Sequence, residues 1–375
     1  YFEGAYLVLT VSDTTAGYSA PQIPVLLRML ADRLGEEPLL IEPDLRGRPL
    51  TSELRAYIEV PIQRIQTMRD AHGDMNRGRG EYLEKAAALV DELQPRVLII
   101  TCAYVADVLN RLRCRPPLTI FQSLELISAY PPGMIEETRR ACAGGKIDLV
   151  IFPEVNRIAI DSGIVGDLPT VLILNATARP ADADAILPAG ERNGRILITA
   201  VHGIETFAHW YKFWSGMPID LYGSAANSRV LCDLPGSFRY LGFVPSYELP
   251  ALRRQYSWAF VAWNPWTLNQ HYAAPNKMYE SIAAGVPVIC APHPQCREIV
   301  AQHGVGMLAG GFTPLKFLKS LETALAMSPA EYAVTVENCR VATRGELNRD
   351  AQFAALWQTL KPIVENRLTT AGVRV

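Results

Sequence analysis

Short apolar runs rich in β-branched residues recur along the chain at 5–11, 38–42, 96–101, 118–122, 148–152 and 169–174. They resume at 195–200, 219–222, 238–241, 258–262 and 287–291. Several are apolar almost without interruption, the pattern of strands covered on both faces. Segments of helical period lie between them: residues 81–93 place Tyr82, Ala86, Leu89, Val90 and Leu93 on one face. Strands alternating with helices predict parallel, doubly wound sheets. The pattern breaks at 176–194, which is rich in Ala, Pro, Asp and Gly and has no apolar period. This stretch divides the chain into two Rossmann-like α/β domains, expected at 1–178 and 195–348, with 179–194 as the linker. A last helical stretch at 349–367 carries Phe353, Leu356, Trp357, Leu360, Ile363 and Val364 on one stripe. Such a stripe must be buried, and the helix is expected to pack back across the domain junction.

Composition narrows the class. A length of 375 residues suits two such domains, and 49% hydrophobic content excludes a disordered chain. Thirty-six basic against 38 acidic residues leave a net charge of -2, so the chain as a whole does not attract nucleic acid. Arg111, Arg113 and Arg115, and the Arg77/Arg79 pair, are interleaved with acids and read as solvated surface. Seven scattered cysteines without a CxxC pair suit reduced thiols and a cytoplasmic protein. Cys290 and Cys296 bracket His293, but their spacing matches no zinc module. No apolar run reaches the roughly 18 residues of a membrane span, and no signal-peptide start is evident. Peripheral contact with the inner membrane face stays an open alternative. The chain starts at Tyr1 and not Met, as a trimmed or tagged chain would.

The most informative stretch is Ala274-Pro275-Asn276-Lys277-Met278-Tyr279-Glu280-Ser281-Ile282-Ala283-Ala284-Gly285-Val286-Pro287-Val288-Ile289. Asn276 reads as a helix N-cap whose approach is stiffened by Pro275. A short helix follows, closed by Gly285 in a left-handed turn, and Pro287 starts the next strand. The helix start offers N–H groups and the positive end of the dipole to an anion, and Lys277 adds a full charge there. Glu280 shares the Lys277 face one turn deeper, placed to accept hydrogen bonds from sugar hydroxyls beside the phosphates. An ordinary exposed Lys–Glu pair would have the same spacing; the order of the whole segment decides for the site. Asp182-Ala183-Asp184 imitates a metal-binding DxD but lies in the expected linker and not after a strand.

The segment resembles the donor-site signature of GT-B glycosyltransferases related to family 4, in which a comparable P-x-K-x-x-E…A-G-x-P-V-I run opens a C-domain helix. Other pieces stand in the matching order. Residues 195–200 with Val201, His202 and Gly203 resemble the first C-domain strand and its phosphate-facing loop. Tyr222-Gly223-Ser224 resembles the end of the next strand, and Val244-Pro245 the loop whose backbone reads the base. Phe121-Gln122-Ser123-Leu124-Glu125 resembles the N-domain strand end that carries His-Glu in relatives. The resemblance implies a GT-B fold, two doubly wound domains with a cleft between them, and transfer from a nucleoside-diphosphate sugar, UDP by family habit, to a glycan, lipid-linked or small-molecule acceptor. It leans to a retaining route, while the lack of a strand-end DxD and of any zinc spacing predicts metal independence, and no cofactor is expected. On it, Lys277 contacts the diphosphate; Glu280, Asn276, His202, Gly203, Gly223, Ser224, Val244 and Pro245 line the donor; and Glu125 and Asp13, with Lys277, are the candidate catalytic groups. Tyr272 stands where many relatives have a second Glu, Ser123-Leu124 where they have His, and the first loop lacks their paired Gly. A sugar-nucleotide 2-epimerase or a non-catalytic sensor on the same fold are the alternatives.

Overall fold

The computed structural model describes residues 6–9, 20–35, 37–44, 49–67, 78–200, 204–225 and 229–370. Two compact units result, one formed by Tyr1–Leu174 with Phe353–Val375 and the other by Asn175–Gln352.

The first unit carries β1 (Tyr6–Leu9), β2 (Pro38–Asp44), β3 (Ile62–Gln66), β4 (Val97–Thr101), β5 (Leu118–Gln122), β6 (Leu149–Phe152) and β7 (Thr170–Leu172). They form one sheet in the order β3-β2-β1-β4-β5-β6-β7, parallel throughout. Every residue of β4, β5 and β6 is buried, as their unbroken apolar runs require. The helix Arg79–Leu93 lays Tyr82, Leu83, Ala86 and Val90 onto this sheet. The terminal helix Arg349–Thr370 joins this unit from Phe353 onward and buries Leu356, Leu360 and Val364. The Arg33 guanidinium lies 4.8 Å from the centre of the Trp357 ring, and Arg367 approaches Asp148 at 2.9 Å.

The second unit carries β8 (Ile196–Ala200), β9 (Ile219–Gly223), β10 (Arg239–Tyr240), β11 (Trp258–Val261), β12 (Val288–Cys290) and β13 (Gly306–Leu308). The order is β10-β9-β8-β11-β12-β13, again parallel. Trp210, Trp214, Phe260 and Phe317 pack as an aromatic cluster on one face, and the buried Trp214 indole donates to the Pro314 carbonyl at 2.9 Å. Sequence order reverses between β8 and β11. Such a reversal opens a crevice at the carboxyl ends of the two strands, where doubly wound sheets bind ligands.

Residues 179–194 depart from the linker expectation. A short 3-10 helix, Pro180–Ala185, and Ile186 pack on Val336 within the second unit. Arg192 donates to the carbonyls of Tyr256 and Leu187 at 3.0 and 3.1 Å. Sparse apolar content misled because Ala183, Ile186 and Ala189 suffice as the anchor and half-buried Arg192 bonds to backbone carbonyls. The DxD look-alike is spent locally: Asp182 accepts from the Arg179 N–H at 2.8 Å, and Asp184 pairs with Arg344 at 2.5 Å.

The basic clusters are neutralised where they are described. Arg111 meets Asp107 at 2.9 Å, Arg113 meets Asp91 at 3.9 Å, Arg115 meets Asp148 at 2.5 Å and Arg79 meets Glu137 at 2.5 Å. Arg77 lies outside the described residues. Among the described residues no helix is long and apolar enough to cross a membrane.

Candidate anion and nucleotide site

The helix Asn276–Ala283 forms as the sequence predicts, but its cap differs. Pro275, extended at φ -79° and ψ 108°, is the N-cap, and Asn276 is the first helical residue. Proline's fixed φ suits the cap position, so the helix starts one residue earlier than an Asn276 cap would place it. The Asn276 Oδ1 is buried without a hydrogen-bond partner. Beyond the helix, Gly285 adopts φ +70°; a Cβ there would meet Ile186 Cγ2 at 2.2 Å, so both conformation and space demand glycine.

Lys277 occupies the reversal point of the sheet. Its Nζ donates to the carbonyl of Thr199, near the end of β8, at 2.5 Å and lies 5.2 Å from the centre of the Trp263 ring, just past β11. The ammonium is held down to about 8, first by burial, then by the positive charge of Arg253, with Glu280 acting the other way. Glu280 does not pair with Lys277. Its carboxylate meets the guanidinium of Arg253 at 2.5 Å, and that guanidinium is only 4% exposed. Two cations and one anion are thus gathered here, an excess positive charge that a bound anion would offset.

The loop from Trp263 to His271 is fixed by a residue that sequence reasoning weighed only as a metal ligand. Buried His293 accepts at Nε2 from the Trp263 N–H at 3.2 Å, and its Nδ1 lies 3.0 Å from the His271 carbonyl. With Nε2 accepting, Nδ1 carries the proton and donates to His271. Burial pushes the imidazole down to about 4, so at neutral pH it holds both backbone groups uncharged. Among the described residues no group of three or more metal-ligating side chains gathers. Asn175 adds a tie, donating to the Ala274 carbonyl at 3.0 Å just before the helix.

The remaining predicted donor residues fall on neighbouring strand ends. Gly223 pairs with Ala200 across β8 and β9, and a Cβ on it would lie 2.3 Å from the Ala200 oxygen. The Gly223 N–H donates to the Gly242 carbonyl at 2.9 Å, which brings the loop carrying Val244 and Pro245 to the same end of the sheet. Ser224 is exposed, and Val244 and Pro245 are half-buried. His202, Gly203 and Asp13 lie outside the described residues.

Glu125 belongs to the first unit, beyond the carboxyl end of β5, with its side chain 52% exposed. A fully buried guanidinium that the sequence did not single out supports its loop. Arg157 donates to the Leu124 carbonyl at 2.8 Å and lies 3.7 Å from the Glu125 carboxylate. Asp161 accepts from the N–H groups of Ile127 and Ser128 at 2.7 and 3.1 Å, and Glu154 caps its helix by accepting from the Arg157 N–H at 3.0 Å. The only signal was helical spacing: Arg157 and Asp161 share one face of Val155–Val165.

No protein-family model and no curated protein sequence matches the chain. Solved structures do. A sucrose-phosphate synthase from Thermosynechococcus elongatus superposes with a TM-score of 0.70 at 14% identity, covering 97% of this chain and all of that one. Anabaena HepE in complex with UDP and glucose gives 0.66 at 13%, covering 96% of this chain and 100% of its own. A glycosyltransferase from Rickettsia africae gives 0.66 at 11%, covering 98% and 100%. At such identities the likeness is one of fold, and the fold of this chain is GT-B.

Proposed function

We propose that the chain is a glycosyltransferase that takes a sugar from a nucleoside-diphosphate donor, a UDP-sugar, held by the second unit. The observation that carries this reading is Lys277: a half-buried ammonium without a carboxylate partner, at the first turn of a helix and at the point where the strand order reverses. Similarity of fold to Anabaena HepE, solved with UDP and with UDP-glucose, supports the choice of donor. The motif's resemblance to family 4 supports a retaining route, with a glycan, lipid-linked or small-molecule acceptor. Glycosyl transfer breaks the anomeric C–O bond and leaves a nucleoside diphosphate on which negative charge builds. Lys277 and the N–H groups of the first helical turn offset that charge, and preorganised donors of this kind contribute on the order of 3 kcal/mol each. The reading gives the leaving-group charge to these groups and assigns no metal or cofactor.

Glu280 accepts from the ribose hydroxyls in this reading. Glu280→Ala is expected to weaken UDP roughly ten-fold or more, the loss of a charged hydrogen bond, while 2′,3′-dideoxy-UDP binds variant and wild type alike. Isothermal titration with both ligands checks it; equal loss for the two would make Glu280 structural. Turnover tests the first unit. Glu125→Gln is expected to lower transfer from a UDP-sugar by about ten-fold or more with UDP affinity unchanged, the mark of a group acting on acceptor or reacting sugar. Unaltered turnover removes Glu125 from the chemistry. Products of that assay also separate transfer from 2-epimerisation, which would yield a C2 epimer of the sugar without an acceptor.

A further inference from the structure

We propose that Arg253 is a positioning residue that takes up the carboxylate of Glu280 and so keeps Lys277 available to an anion. The inference rests on the donor-site reading above and assigns within it a role that the motif does not contain. Lys277 and Glu280 stand three residues apart on one helix, the spacing at which a Lys and a Glu ordinarily join. Here they do not. Glu280 goes instead to Arg253, at the end of the helix Leu249–Arg253, with 2.5 Å between Nη2 and Oε2. Lys277 is left with a carbonyl and an aromatic face, both weak partners that a phosphate oxygen can displace.

The charges explain why the arrangement needs the guanidinium. Without it, a carboxylate only 16% exposed has the nearby ammonium as its best remaining partner. Closing that pair would neutralise the one cation facing the diphosphate and turn the carboxylate away from sugar hydroxyls. Arg253 suits the task because its planar fork holds a carboxylate in a fixed orientation, which the point charge of a lysine does less well. It touches neither phosphate nor sugar in this scheme and acts through Glu280 and Lys277.

The test uses inorganic pyrophosphate, which has no hydroxyls for Glu280 to meet, together with UDP. Wild type, Arg253→Gln, Arg253→Lys, Glu280→Gln and Arg253→Gln/Glu280→Gln are titrated with both ligands, and thermal melting is followed for each. Arg253→Gln is expected to weaken pyrophosphate about ten-fold, since Glu280 then closes on Lys277. Removing the carboxylate as well should restore it: the double variant binds pyrophosphate within about two-fold of wild type while UDP stays weak. Arg253→Lys should fall between wild type and Arg253→Gln. A merely structural arginine gives a different pattern, with both ligands weakened together and no recovery in the double variant. That result, or unchanged pyrophosphate binding in Arg253→Gln, overturns the proposal. If wild type binds neither ligand, the nucleotide reading itself fails and the role of Arg253 falls with it.

Discussion

Lys277→Ala is expected to weaken UDP ten- to a hundred-fold, the effect of removing a charged hydrogen bond of about 1.5–3 kcal/mol. Turnover should fall as well, because charge on the leaving diphosphate grows in the transition state. The pH dependence identifies the group. Lys277 loses its proton near pH 8, so wild-type affinity should be level near pH 7 and decline as pH rises past about 8. The decline continues until the pH at which the ligand-bound ammonium itself titrates, which the bound anion raises. Lys277→Ala has no such group, and its residual affinity should stay flat over the same range. Titrations at pH 7 and pH 9.5 with both proteins decide the matter; parallel curves would place the ammonium outside the diphosphate site.

The second large effect concerns stability. His293 is held neutral, its ring pushed from 6.5 down to about 4 by burial. The sign follows from proton counts. Between pH 6.5 and about 4 the unfolded chain binds a proton here that the folded chain refuses. Stability therefore falls as pH is lowered through that window and levels off beneath it. The full cost is about 3 kcal/mol, from 1.36 kcal/mol per unit. His293→Phe removes the titration but strands the Trp263 N–H and the His271 carbonyl, costing roughly 1–3 kcal/mol apiece at neutral pH. The variant should be the less stable protein at pH 7, and the gap to wild type should narrow by up to about 3 kcal/mol at pH 4. Urea unfolding of both at the two pH values measures it; a constant gap would mean that His293 does not titrate as its burial requires.

Much of the fold was legible because buried parallel strands are nearly uniform in sequence. All eleven apolar runs became strands, with ends shifted by a few residues at most. The two unread strands are both at sheet edges. In β3, Ile62-Gln63-Arg64-Ile65-Gln66, the polar residues serve the sheet through Arg64 to Glu42 at 2.9 Å and Gln66 to Asp44 at 2.8 Å, pairs that no local pattern announces. β13 is three residues long and begins at Gly306, where a Cβ would strike the Val288 backbone. Of the candidate site, the helix and the turn that closes it were legible, and these hold Lys277, Glu280 and Gly285. Arg253 and His293 come from other parts of the unit, and their roles depend on contacts made only after folding. A histidine whose two ring nitrogens serve two backbone groups looks, in sequence, like a metal ligand without partners. The cap was misread for a local reason, since Pro275 takes the extended geometry that an asparagine was expected to supply.

The close seat of Ile186 over Gly285 bears on how this chain can be divided. A fragment begun at the first residue of β8 would lack Asn175, which donates to the Ala274 carbonyl, and Ile186, which covers the turn after the Lys277 helix. Such a fragment would start with that turn uncovered, although its sheet was whole. The natural boundary for expressing this half is Asn175, and Gln352 closes it within the terminal helix. Dissection by composition would cut about twenty residues too late, through the segment that clasps the site, and a silent fragment made that way would say nothing about the intact site's ability to hold a nucleotide.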